Sequence, residues 1–88
     1  MFQKRSDYIL ALLQLLDRLP NRQGKAQEIR ILFVEQYRDE IPPQGFESLT
    51  NGDLRWDKEI QWCRYDCVQN GLMSSLSTEV WELTKEGR

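Results

Sequence analysis

At Gly71 the hydrophobic period of this 88-residue chain changes. Upstream, apolar residues recur at helical spacing; downstream they alternate. The run from Trp56 to Asn70 predicts a helix over 56–70, with Gly71 as its C-terminal cap in the left-handed conformation. With a turn of roughly 100° per residue, Trp56, Ile60, Cys63 and Cys67 share one narrow stripe. Lys58, Gln61, Tyr65 and Gln69 occupy the opposite side. Beyond Gly71, Leu72-Met73 reads as a short strand, Ser74 to Ser77 as a turn, and Glu79 to Leu83 as a second strand with Trp81 and Leu83 on one face. A helix that feeds directly into a hairpin restricts the chain to an α+β fold.

The upstream half supplies two more helices. Residues 6–19 carry Ile9, Leu12, Leu13 and Leu16 at i, i+3, i+4, i+7, with Leu15 and Leu19 widening the stripe. Ser6 is placed to cap that helix and Asp7 to favour its first turn. Pro20 ends it, and Asn21 to Gly24 reads as a turn. Residues 25–37 form a second helix with Ala26, Ile29, Leu32, Phe33 and Tyr37 on its apolar face. The prolines at 42 and 43 prevent it from continuing. Residues 41–55 are irregular, with Phe46 and Leu49 as anchors, room for one short helical turn, and a turn at Thr50 to Asp53. Helix, helix, irregular link, helix and hairpin is the order of a winged helix, in one domain over residues 1–88. In such a fold the third helix is the usual recognition helix and the hairpin is the wing. A chain this short buries only about 60% of its unfolded surface, so its core must be well filled.

Charge limits the partners. The net charge is −2; residues 1–30 hold six Lys/Arg against three Asp/Glu, and residues 31–88 hold six against eleven. This is not the strongly basic balance that marks a nucleic-acid binder by itself, and an acidic half equally suits a protein partner. Cys63 and Cys67 are the only cysteines and there is no histidine, so an intrachain structural zinc site lacks ligands. Four apart on a helix, the two thiols are poorly placed for a disulfide, and they read as small apolar fillers of the core stripe. Reduced cysteines imply a cytoplasmic protein. No run approaches the roughly 18 apolar residues of a membrane span, and Gln14, Asp17 and Arg18 interrupt any likeness to a signal peptide.

The run Asn51-Gly52-Asp53-Leu54-Arg55-Trp56, continued by Ile60, Trp62-Cys63, Asp66-Cys67, Asn70-Gly71-Leu72, Val80-Trp81-Glu82-Leu83-Thr84 and Gly87-Arg88, resembles the N-terminal domain of Mrr-like restriction endonucleases. Cys63 and Cys67 stand where that pattern usually has Ala and Leu. The resemblance implies a winged-helix module that contacts DNA in front of a catalytic domain. Within these 88 residues that catalytic domain has no counterpart. Its metal-dependent site would need an acid two residues before a lysine; the residues two before Lys4, Lys25, Lys58 and Lys85 are Phe2, Gln23, Trp56 and Leu83. With no histidine, a serine or cysteine nucleophile lacks its commonest base. The chain is therefore expected to be no enzyme by itself and to need no cofactor.

Two functions remain open. In the first, the third helix binds double-stranded DNA through Arg55, Lys58, Gln61, Arg64 and Tyr65, the cations meeting phosphates or guanine and the amide reading adenine. Lys4, Arg5, Arg22 and Lys25 would add a basic patch. Against this, residues 53–69 carry three cations and four carboxylates, a net of −1, and the wing from Ser74 to Thr78 has no Lys or Arg, although affinity for duplex DNA depends on phosphate neutralisation. In the second, the domain is an accessory subunit that pairs with itself or with a separate nuclease or regulator. Trp62 decides part of this: about 120° from the core stripe, it reads first as folded under the 41–55 segment, and if exposed it is a contact residue, as in a dimer.

Overall fold

A computed structural model describes residues 1–50, 52–76 and 79–85. Helix α1 spans Arg5–Asp17. Its entry is fixed by Asp7 rather than Ser6, which lies inside the helix. The Asp7 carboxylate accepts from the backbone N–H groups of Gln3 (2.8 Å) and Lys4 (3.2 Å), two donors that a helix start leaves orphaned. These bonds lower the Asp7 pKa below its ordinary 3.8. The buried face of α1 is Tyr8, Ala11, Leu12, Leu15 and Leu16, with Ile9, Leu13 and Leu19 half-buried beside it.

Helix α2, Ala26–Tyr37, buries Ile29 and Phe33. Leu32, expected on its apolar face, is exposed, and Val34 packs against the core from the other flank. Phe2, Tyr8, Phe33 and Tyr37 make an aromatic cluster where α1 and α2 meet, with Phe2–Tyr8 and Phe33–Tyr37 ring centroids 4.6 and 4.9 Å apart.

The irregular link does contain a short turn, a 3-10 helix over Pro43–Phe46. Its anchor is Gly45, with buried Ile41 and half-buried Leu49, and not Phe46, whose exposed ring lies under the Arg38 guanidinium. A Cβ on Gly45 would stand 2.5 Å from Ile41 Cγ2 and 3.6 Å from Trp56 Cβ, so only glycine lets the link press against the start of the third helix. The next turn closes through Gly52, at φ +91°, with Leu49 N–H donating to Asp53 O (2.7 Å) and Gly52 N–H to Leu49 O (2.9 Å). Asn51 lies outside the described residues.

Helix α3, Arg55–Gln69, buries Ile60, Cys63 and Cys67 against α1. It ends as the sequence predicts. Gly71 sits at φ +75°, Leu72 N–H reaches back to Cys67 O (2.8 Å), and Gly71 N–H to Val68 O (3.1 Å). This is a Schellman cap, which satisfies the last carbonyls and turns the chain toward the sheet.

Strand β2, Val80–Glu82, pairs antiparallel with β1, Gln23–Lys25, in the register Gln23–Glu82, Gly24–Trp81, Lys25–Val80. The sequence reading took Gln23 and Gly24 as part of a turn; the turn is confined to residues 20–22, and Asn21 and Arg22 adopt positive φ there. The ladder is extended by Leu83 N–H to Arg22 O (3.0 Å) and Ala26 N–H to Glu79 O (2.7 Å). The wing adds to the other side of this strand. Met73 bridges Leu83, Ser74 N–H donates to Glu82 O (2.9 Å), and Thr84 N–H to Leu72 O (3.0 Å). Ser77 and Thr78, which the sequence places in the wing, and residues 86–88 lie outside the described residues. Three helices and an antiparallel sheet thus give the α+β winged-helix layout. Trp81, Leu83 and Met73 close the core from the sheet side. Among the described residues no helix is long and apolar enough to cross a membrane.

Candidate nucleic-acid interface

Because Ile60, Cys63 and Cys67 point into the core, the helical repeat turns Lys58, Gln61, Trp62, Tyr65 and Gln69 away from it. Four of them, Lys58, Gln61, Trp62 and Tyr65, line a shallow depression of about 200 Å³. Trp62 and Tyr65 are 51% and 53% exposed, and their rings meet edge to face with centroids 5.8 Å apart. Trp62 is therefore not folded under the 41–55 segment. The sequence favours that burial for a position about 120° from the core stripe; the exposed ring corrects it.

The acidic residues of α3 lie elsewhere. Glu59 and Asp66 sit on the flank that meets α1, where Arg5 spans both: Nε is 3.0 Å from Glu59 Oε1 and Nη1 is 3.5 Å from Asp66 Oδ2. The Glu59 hydrogen bond raises the Arg5 pKa above its ordinary value. Asp57 is on the other flank, 3.3 Å from Arg30 of α2. The net charge of the helix as a string of residues thus misstates its outer face, which carries Lys58 and the amides and aromatics but no carboxylate of the helix.

The remaining site residues divide into two groups. Arg55 and Lys58 are in exposed pairs, Arg55 with Glu47 (3.7 Å) and Lys58 with Asp53 (3.4 Å). Such pairs are worth about 0–1 kcal/mol and exchange readily for another anion. Gln61 and Tyr65 lie between and beyond them on the same face. Arg64 is set apart. Its Nη2 donates to Ser74 O (3.2 Å) and its guanidinium lies 6.0 Å from the Trp81 ring centroid, so it joins α3 to the base of the wing. The N-terminal basic residues do not form one patch of free charge either: Arg5 is held by Glu59 and Asp66, and Arg22 pairs with Asp17 at 3.1 Å.

The cysteines are free thiols in the core. Burial, the largest influence, pushes Cys63 up to about 12 and Cys67 to about 11. At neutral pH both are protonated and poor nucleophiles. Among the described residues no group of three or more His, Cys, Asp or Glu is arranged to hold a metal.

The fold and this outward helix define a small winged-helix module. Comparison with family models matches the Mrr N-terminal domain over residues 6–88. The chain belongs to the Mrr N-terminal domain family. Searches of curated proteins and of solved structures returned no match.

Proposed function

We propose that this chain is a non-catalytic DNA-binding module, with the outer face of α3 entering the major groove of double-stranded DNA. The observation that carries the reading is the sorting of charge around α3. Glu59 and Asp66 are engaged by Arg5, and Asp57 by Arg30, so the outward stripe of Lys58, Gln61, Tyr65 and Gln69 carries no acid. Arg55 and Lys58 can trade their exposed carboxylates for phosphates, Gln61 presents an amide to base edges, and Tyr65 offers a hydroxyl. Arg64 orients the wing relative to the helix. The lack of an acid two residues before any lysine supports a non-catalytic role, with cleavage left to a separate nuclease. Buried, protonated thiols suit the reducing cytoplasm.

A fluorescence-anisotropy titration with labelled duplex at low salt tests this. Wild type should bind, and Arg55→Glu with Lys58→Glu should abolish binding. Each lost phosphate contact should reduce the slope of log affinity against log salt by about 1. Absence of binding, or binding indifferent to both changes, defeats the reading.

A second reading is favoured by one observation, the exposed Trp62–Tyr65 pair. Aromatics dominate protein interfaces, and this face would serve equally in a homodimer or against a regulatory partner. A monomeric mass by light scattering at high concentration removes the homodimer.

A further inference from the structure

Trp62 and Tyr65 stand at the centre of the face proposed to meet DNA, and phosphate contact does not explain them. An indole offers a phosphate one N–H donor and no charge, which leaves most of its ring unaccounted for, and about half of each residue is open to water. We propose that the Trp62–Tyr65 pair selects A·T base pairs by packing against the 5-methyl group of thymine in the major groove, beside Gln61 reading adenine; this rests on the DNA-binding reading above.

Three features support the assignment. First, the depression is about 200 Å³ and is bounded by Lys58 and Gln61 as well as the two rings. That is smaller than the roughly 300–1,000 Å³ of a small-molecule pocket and suits a single protruding group. Second, two of its four lining residues are aromatic and two are polar. The thymine edge has the same composition, a methyl beside the O4 acceptor, and adenine next to it offers N6 and N7 to an amide. Third, the spacing is that of neighbours on a helix. Trp62 and Tyr65 are three apart, and Gln61 and Tyr65 four apart, so all three present to one short stretch of groove. The edge-to-face contact holds the two rings against each other, which reduces the side-chain freedom lost on binding.

The test uses three labelled duplexes of equal length: one rich in A·T, the same sequence with deoxyuridine replacing every thymidine, and one rich in G·C. Deoxyuridine removes only the methyl. Wild type should bind the thymidine duplex more tightly, by about fourfold for each methyl buried, in line with about 0.8 kcal/mol per buried carbon. Trp62→Ala with Tyr65→Ala should bind the thymidine and deoxyuridine duplexes equally, both more weakly than wild type binds the thymidine duplex. Both side chains are exposed, so the variant should keep the wild-type circular dichroism spectrum; Trp62→Phe, which retains an apolar ring, should recover part of the discrimination. Equal wild-type binding to the first two duplexes overturns this inference and leaves the DNA-binding reading standing. Tighter binding to single strands than to duplex, regardless of the methyl, overturns it in favour of base stacking. A dimer that the double variant converts to monomer, with no thymidine preference, overturns it in favour of a protein interface. No binding to any duplex defeats both readings together.

Discussion

Arg5 Nε lies 3.0 Å from Glu59 Oε1, linking the first residue of α1 to the flank of α3 across 54 positions of sequence. With its second contact to Asp66, one guanidinium covers two of the three carboxylates on α3. Arg5 precedes the segment that matches the family, residues 6–88. The electrostatic character of α3 is thus partly set from another helix.

Arg5→Ala should weaken DNA binding although Arg5 has no place on the outer face. The uncovered carboxylates raise the local negative potential, and a loss of several-fold at low salt is expected. Glu59→Gln with Asp66→Asn in the same chain should restore affinity, because the repelling charges are gone. A simple phosphate contact would not be rescued this way. Thermal stability should change by less than about 1 kcal/mol, since the pair is solvent-exposed.

Two glycines should be costly to replace, for different reasons. Gly71→Ala places a side chain at φ +75° in open space, so its cost of about 1–2 kcal/mol is backbone strain alone. Gly45→Ala drives a methyl to 2.5 Å from Ile41 Cγ2, and overpacking of this kind costs about 1–3 kcal/mol. Ile41→Leu, which has no methyl branched at Cβ, should recover part of that loss in the Gly45→Ala background and should do nothing for Gly71→Ala. Urea denaturation of the four variants separates the two effects.

The thiols predict a one-sided pH dependence. Folding raises Cys63 from its ordinary 9.0 to about 12 and Cys67 from 9.0 to about 11. The folded state therefore holds its protons longer than the unfolded chain does. The stabilisation is fully present below pH 9 and is lost as pH rises from 9 through 11 and 12. Denaturation midpoints should fall in that alkaline range, and less steeply in Cys63→Ala with Cys67→Ala. At pH 8, a thiol reagent should label the native protein only as fast as it unfolds.

Arg64→Ala should loosen the wing without changing the salt dependence of binding. The side chain bridges Ser74 O and the Trp81 ring from a half-buried position, and losing a charge-assisted hydrogen bond costs about 1.5–3 kcal/mol. Hydrogen exchange at Ser74 and Glu82 should accelerate. If Arg64 met a phosphate, the salt slope would fall by about 1; it should stay as in wild type.

Much of the fold was legible because the helices announce themselves by period. Ile60, Cys63 and Cys67 fell on one stripe, and Gly71 followed as a cap whose backbone bonds are those of a helix end. Strand β1 was not legible. Gln23, Gly24 and Lys25 have neither β-branching nor alternation, and they are extended because Trp81 and its neighbours supply a partner from far along the chain. Gly24 serves there because even a Cβ would approach Ile29 and Leu19 to 3.3–3.4 Å. The candidate site was legible as a list of residues and not as a field of charge. A helical wheel places Glu59, Asp66 and Asp57 on the flanks, but it does not show that Arg5 and Arg30 arrive from other helices to meet them.

The pairing of Gln23–Lys25 with Val80–Glu82 has a consequence for how the domain comes into being. One strand is made before two helices and the link between them, and its partner only after them. The entropy of closing such a long loop must be overcome before the sheet contributes anything, so α1, α2 and α3 should gather first and the sheet should lock them at the end. Until Trp81 and Leu83 emerge, one side of the helical core stays open to water, and a ribosome-bound chain shorter than about that length should be digested readily by protease. Helix α3 and the wing would then become a rigid pair in the same step.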